Sequence, residues 1–88
     1  MRLRTEGVTW QEIDGELVIL DLKSSAYLTT NVAGAVLAKQ LVDERNADDL
    51  ADTLVAEFAI DRATAAADVE VFLDDLRAKD LLIETAQS

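Results

Sequence analysis

The sequence contains no cysteine, no histidine and no proline. Without cysteine there is no disulfide framework, thiolate zinc site or thiol nucleophile, and no need for an oxidising compartment. Without histidine the commonest general base and the commonest transition-metal ligand are lost together. Aromatic residues are limited to Trp10, Tyr27, Phe58 and Phe72, so the core must come mainly from Leu, Val, Ile and Ala. No apolar run approaches the roughly 18 residues of a membrane span. The start, Met1-Arg2-Leu3-Arg4-Thr5-Glu6, leads into polar sequence and not into the apolar core of a secretory signal. A cytoplasmic protein without membrane contact is expected.

What is present is acid. Eighteen Asp and Glu against eight Lys and Arg give a formal charge of −10 over 88 residues. Such a field repels phosphate backbones and favours basic partners, so nucleic acid is disfavoured. The length fits one domain, spanning 1–88 with a core over about 8–84, and no linker or repeat suggests a second.

The first third reads as strands. Val8 to Ile13 and Glu16 to Leu22 are rich in β-branched and apolar residues, and Asp14-Gly15 between them suits a tight hairpin turn. Leu17-Val18-Ile19-Leu20 is apolar on both faces, as in a central strand, whereas Val8-Thr9-Trp10-Gln11 alternates. A third strand is expected at Ser25-Ala26-Tyr27-Leu28, after the polar turn Lys23-Ser24; successive hairpins would leave it one unpaired edge. The alternative makes this stretch a loop feeding the next helix.

The remainder reads as three helices. Thr30 is a plausible N-cap for the first, with Val32, Ala33, Val36, Leu37 and Leu41 at helical spacing and an end near Asp43 to Asn46. Asp48 or Asn46 can cap the second, which carries Leu50, Leu54, Val55 and Phe58. Asp61 can cap a third running from Arg62 to about Lys79. Leu81-Leu82-Ile83-Glu84 follows as an extended segment, and Thr85 to Ser88 as a frayed end.

The third helix carries two faces. At about 100° per residue Val69, Phe72, Leu73 and Leu76 form one stripe, which must be core. Beside it runs a second line, Thr64, Asp68, Val71, Asp75 and Ala78, mixing small, acidic and apolar residues. Taken alone, this line is also what an ordinary solvated face with one exposed valine looks like. Packed next to the third strand, it would make one wall of a groove in which an extended peptide could add to the strand edge. Leu20, Ser25, Ala26, Tyr27, Leu28, Asp68, Val71, Phe72 and Asp75 are therefore the candidate peptide-binding residues, with Leu20 as a floor. Of Tyr27 and Leu28 only one can face the helices. Phe72 serves core and groove wall alike, and Trp10 suits a half-exposed cover for the sheet or a contact to a partner enzyme.

Catalysis has little to work with. Glu70 and Asp74 share a helix face but lie away from the apolar stripe, where nothing could position a substrate. No catalytic residue, metal or cofactor is expected. A DNA-reading helix would present Arg and Lys, whereas the third helix offers Asp68, Glu70, Asp74 and Asp75.

The order of elements, with Ala26-Tyr27-Leu28-Thr29-Thr30-Asn31 at the strand-to-helix junction and the stretch from Asp68 to Leu82, resembles the PqqD-like family of precursor-peptide recognition domains. Two positions depart from the family pattern: Asp80 stands where Gly is frequent, and Thr30 where Asn is common. The resemblance implies an α+β, winged helix-turn-helix-like fold, a three-stranded antiparallel sheet followed by three helices. It also implies that the leader of a ribosomally made precursor adds to the third strand beside the third helix and is presented to modifying enzymes. A chain of this length looks like the discrete leader-binding protein of a split lasso-peptide pathway, a monomer or weak dimer whose partner is a separate leader peptidase, a cysteine protease. The alternatives are a PQQ-pathway peptide chaperone working with a radical maturase, and a non-catalytic acidic scaffold or dimerisation domain.

Overall fold

The computed structural model describes residues 1–84; the expected frayed end at Thr85 to Ser88 lies outside them. The chain runs β1 (Arg2–Leu3), β2 (Val8–Ile13), β3 (Glu16–Asp21), β4 (Tyr27–Thr30), α1 (Val32–Gln40), α2 (Ala47–Phe58), α3 (Arg62–Ala78) and β5 (Leu82–Ile83). Strands β2, β3 and β4 form an antiparallel sheet in that order. Three helices follow, the α+β architecture expected. No helix among the described residues is long and apolar enough to cross a membrane.

The hairpin forms where Asp14-Gly15 predicts it. Both residues have positive φ, 54° and 83°, which gives a two-residue turn whose twist matches the flanking strands, with Ile13 opposite Glu16. Leu17 and Ile19 point inward and are fully buried, while Val18 and Leu20 on the outer face are half-covered. The central strand is thus apolar on both faces although the helices cover only one.

β4 begins two residues later than the Ser25 to Leu28 expected, because Asp21 organises a turn ahead of it. Its carboxylate accepts the Lys23 N–H at 3.0 Å, its carbonyl accepts the Ser25 N–H at 2.9 Å, and its own N–H donates to the Ala26 carbonyl at 2.9 Å. Ser25, at φ 62°, turns the chain through the left-handed region and cannot continue a strand.

Thr30 does not cap α1. It closes β4, is buried, and its hydroxyl accepts the Leu17 N–H at 3.3 Å. The cap is Asn31, whose side chain accepts the Gly34 N–H at 2.8 Å. α1 ends at Gln40, short of the expected Asp43 to Asn46. Asn46 caps α2 through a reciprocal capping box with Asp49, and Asp61 caps α3 by accepting the Thr64 N–H at 2.7 Å. α3 closes in a Schellman turn: Leu81 N–H reaches Leu76 O at 2.8 Å and Asp80 N–H reaches Arg77 O at 3.1 Å. Asp80 therefore takes the left-handed conformation, φ 58°, where a glycine would be unstrained.

One pairing was not foreseen. β1 and β5 form a separate two-stranded sheet, Arg2 opposite Ile83 and Leu3 opposite Leu82, placing Leu3 and Leu81 in the core. Arg4 ties it to the rest: its guanidinium donates to Asp21 at 2.6 Å, to the Asp80 carbonyl at 2.9 Å and to the Glu6 carbonyl at 3.1 Å. Asp21 is almost fully buried, and the Arg4 hydrogen bond, followed by that from Lys23 N–H, holds its carboxyl below the usual carboxylate range.

Candidate functional site

Among the described residues β4 pairs only with β3, so its far side is an open edge. The bond from Asp21 N–H to Ala26 O sets the phase of the ladder. Leu28 and Thr30, opposite Ile19 and Leu17, turn their backbone groups toward β3. Tyr27 and Thr29 turn theirs toward the open edge. Side chains alternate too: Leu28 and Thr30 point to the helices, Tyr27 and Thr29 to the outer face.

Beneath that edge lies a groove of about 270 Å³. β4 contributes Leu28, Thr29 and Thr30; the first turns of α1 contribute Asn31, Ala33, Gly34 and Leu37; α3 contributes Asp68, Val71, Phe72 and Asp75. The floor is apolar and the α3 rim is acidic. Val71 is 63% exposed, which leaves an apolar surface in the groove that the folded chain does not cover, whereas Phe72 at 7% is core and wall together. Gly34 lets these elements close up. A Cβ there would stand 2.8 Å from Thr30 Cβ and 3.5 Å from a Phe72 ring carbon.

Five of the expected site residues, Leu28, Asp68, Val71, Phe72 and Asp75, come together in the groove. Leu28, and not Tyr27, faces it. Ser25 and Ala26 lie in the turn before β4, outside the groove lining. Leu20 is not its floor: alternation along β3 sends Leu20 to the opposite face, beside Thr9, Gln11 and Val18. Trp10, opposite the buried Ile19, lies on the helix-side face of β2 and is 38% exposed. Of the acids weighed for catalysis, Asp74 pairs with Arg77 at 3.0 Å, and neither it nor Glu70 lines the groove. The contribution of α1 was missed. Its one signal was Gly34, the only glycine in the helical part of the chain.

The model of the family described as coenzyme PQQ synthesis protein D (PqqD) matches residues 16–82. The chain belongs to the PqqD family. Two solved structures resemble this PqqD-family chain over nearly its whole length. TbiB1 in complex with the TbiA(beta) leader peptide is 29% identical with a TM-score of 0.83, the match covering 98% of this chain and 99% of the other. Lasso peptide synthetase B1 complexed with the leader peptide is 25% identical with a TM-score of 0.77, covering 94% and 96%. A search of curated proteins found no significant match. In this PqqD-family fold the groove sits where the sheet edge, the α1 N-terminus and the outer line of α3 meet.

Proposed function

We propose that the chain binds the leader segment of a ribosomally synthesised precursor peptide and presents it to a separate leader peptidase or other modifying enzyme, in lasso-peptide biosynthesis. The observation that carries this is the open edge of β4 beside an apolar, acid-rimmed groove. A leader strand pairs with the outward backbone groups of Tyr27 and Thr29. Its alternate side chains enter the groove against Leu28, Val71 and Phe72, while Asp68 and Asp75 attract Lys or Arg. Strand pairing and apolar anchors supply affinity; the exposed acids supply mainly encounter and register, since such pairs contribute only about 0–1 kcal/mol each.

Binding of this kind needs no reacting group, and the protein acts as a non-catalytic adaptor. The resemblance over nearly full length to two leader-peptide complexes, one of them of lasso peptide synthetase B1, favours the lasso pathway over the PQQ pathway. The test is an NMR titration with synthetic leader peptides of lasso-peptide precursors. Chemical-shift changes confined to β4, the start of α1 and α3 support leader capture. Saturating leader without such changes refutes it and favours the acidic scaffold.

A further inference from the structure

Tyr27 and Leu20 stand directly opposite each other across β4 and β3, on the face of the sheet turned away from the helices. Tyr27 is 63% exposed and Leu20 half-covered, with Val18 and Thr29 forming the next pair along. On its other flank Tyr27 meets the open edge. Single exposed apolar residues are ordinary. An aromatic residue on the terminal strand of a sheet, already paired on one side with a leucine, has half of a cross-strand cluster and lacks the other half.

The geometry points to a second peptide subsite, in which Tyr27 and Leu20 form a shelf on the outer face of the sheet that takes an apolar side chain of the bound leader. This rests on strand addition to β4 as proposed above. A strand added there places one residue directly beside Tyr27, with Cβ atoms about 4.5–5.5 Å apart and side chains on the same face. Because side chains alternate, the residue entering the groove and the residue on the shelf are neighbours in the peptide. No charged side chain belongs to Tyr27, Leu20, Val18 or Thr29, so the shelf selects β-branched or aromatic residues and not the basic ones attracted by Asp68 and Asp75. The leader is thereby read on both faces, by a groove anchor and by an adjacent shelf residue. Register is fixed more tightly than by the groove alone, since a slip of one residue exchanges the two sets.

The test is selection of a displayed library of random peptides on the intact protein and on Tyr27→Ser. The unaltered protein should enrich apolar residues at two adjacent positions. Tyr27→Ser should lose enrichment at one of them and keep the groove anchor, which also shows that the variant is folded. For a selected peptide, alanine at the shelf position should weaken binding about two- to fivefold in the unaltered protein and not further in Tyr27→Ser. Independent, multiplying effects of the two changes overturn the shelf. So does unchanged peptide affinity in Tyr27→Ser with impaired processing by the peptidase, which would assign the surface to the enzyme. Loss of the selected peptides on Val71→Asp, with Tyr27→Ser giving the same enrichment as the unaltered protein, leaves leader binding standing and removes only the shelf. Failure of the unaltered protein to enrich any peptide overturns both.

Discussion

Replacing Val71 by aspartate puts a carboxylate into the middle of the groove, on the same helix line as Asp68 and Asp75. Val71 is 63% exposed in the free protein, so a peptide lying over it removes up to about two thirds of its surface from water. Full burial of such a side chain contributes about 1.5–3 kcal/mol, which makes the part available to the peptide about 1–2 kcal/mol. Aspartate forfeits that gain and must shed hydration against an apolar ligand side chain. The leader Kd should therefore rise at least tenfold, about 1.4 kcal/mol. The fold should survive. Val71 packs little in the free protein, and the new like-charge pairs with Asp68 and Asp75 cost only about 0.2–0.5 kcal/mol each. Fluorescence polarisation with a labelled leader measures the first quantity, and thermal melting by circular dichroism the second. An unchanged Kd in a folded Val71→Asp protein refutes the assignment of this helix face to the ligand. Val71→Ser separates the two contributions, since it removes the apolar surface without adding charge and should give the smaller loss.

Converting Asp68 and Asp75 together to Asn should slow leader association at low salt and matter little at high salt, in stopped-flow measurements; equal effects at both would exclude charge steering. Gly34→Ala gains about 1 kcal/mol of helix propensity but drives a Cβ to 2.8 Å from Thr30. Thr30 is buried and β-branched and cannot swing aside, so overpacking of about 1–3 kcal/mol wins; a lower melting temperature and weaker leader binding should follow. Asp80→Gly relieves the left-handed residue after α3 and should raise stability in urea by up to about 1 kcal/mol, with leader affinity unchanged. The Asp21 carboxyl titrates lower folded than unfolded, so its contribution is fully present above the ordinary carboxylate range and is lost as pH falls through the folded value. Asp21→Asn should therefore flatten the acid limb of a stability-against-pH curve, and an unaltered acid limb would show that the Arg4 contact contributes nothing.

The legible parts of this sequence were those whose signals are local. Asp14-Gly15 fixes the hairpin because both residues accept positive φ, and the stripe Val69, Phe72, Leu73, Leu76 is core because helical period alone brings it together. The groove wall on α3 was legible for the same reason. What escaped needed knowledge of distant partners. The two residues of β1 carry no period, and their pairing to Leu82 and Ile83 spans nearly the whole chain. The start of β4 slipped by two because Ser25 turns in response to Asp21, four residues back, whose buried carboxylate answers to Arg4. Thr30 and Asn31 are both good caps by type; burial of the Thr30 hydroxyl against the Leu17 N–H decides between them. Leu20 and Tyr27 were placed with the groove because the sequence shows which residues are apolar before it shows which side of the sheet the helices will cover.

Neither β1 nor β5 contributes a residue to the groove lining, yet their pairing brings positions 2 and 83 face to face. The described chain, residues 1–84, therefore begins and ends at one place in the fold. Connections made at positions 2 and 83 would emerge side by side, so the unit between them could be spliced into a surface loop of another protein without stretching either connection. A host enzyme built in this way would hold its own leader reader on a short double tether, with β4 and its edge still open to a passing peptide.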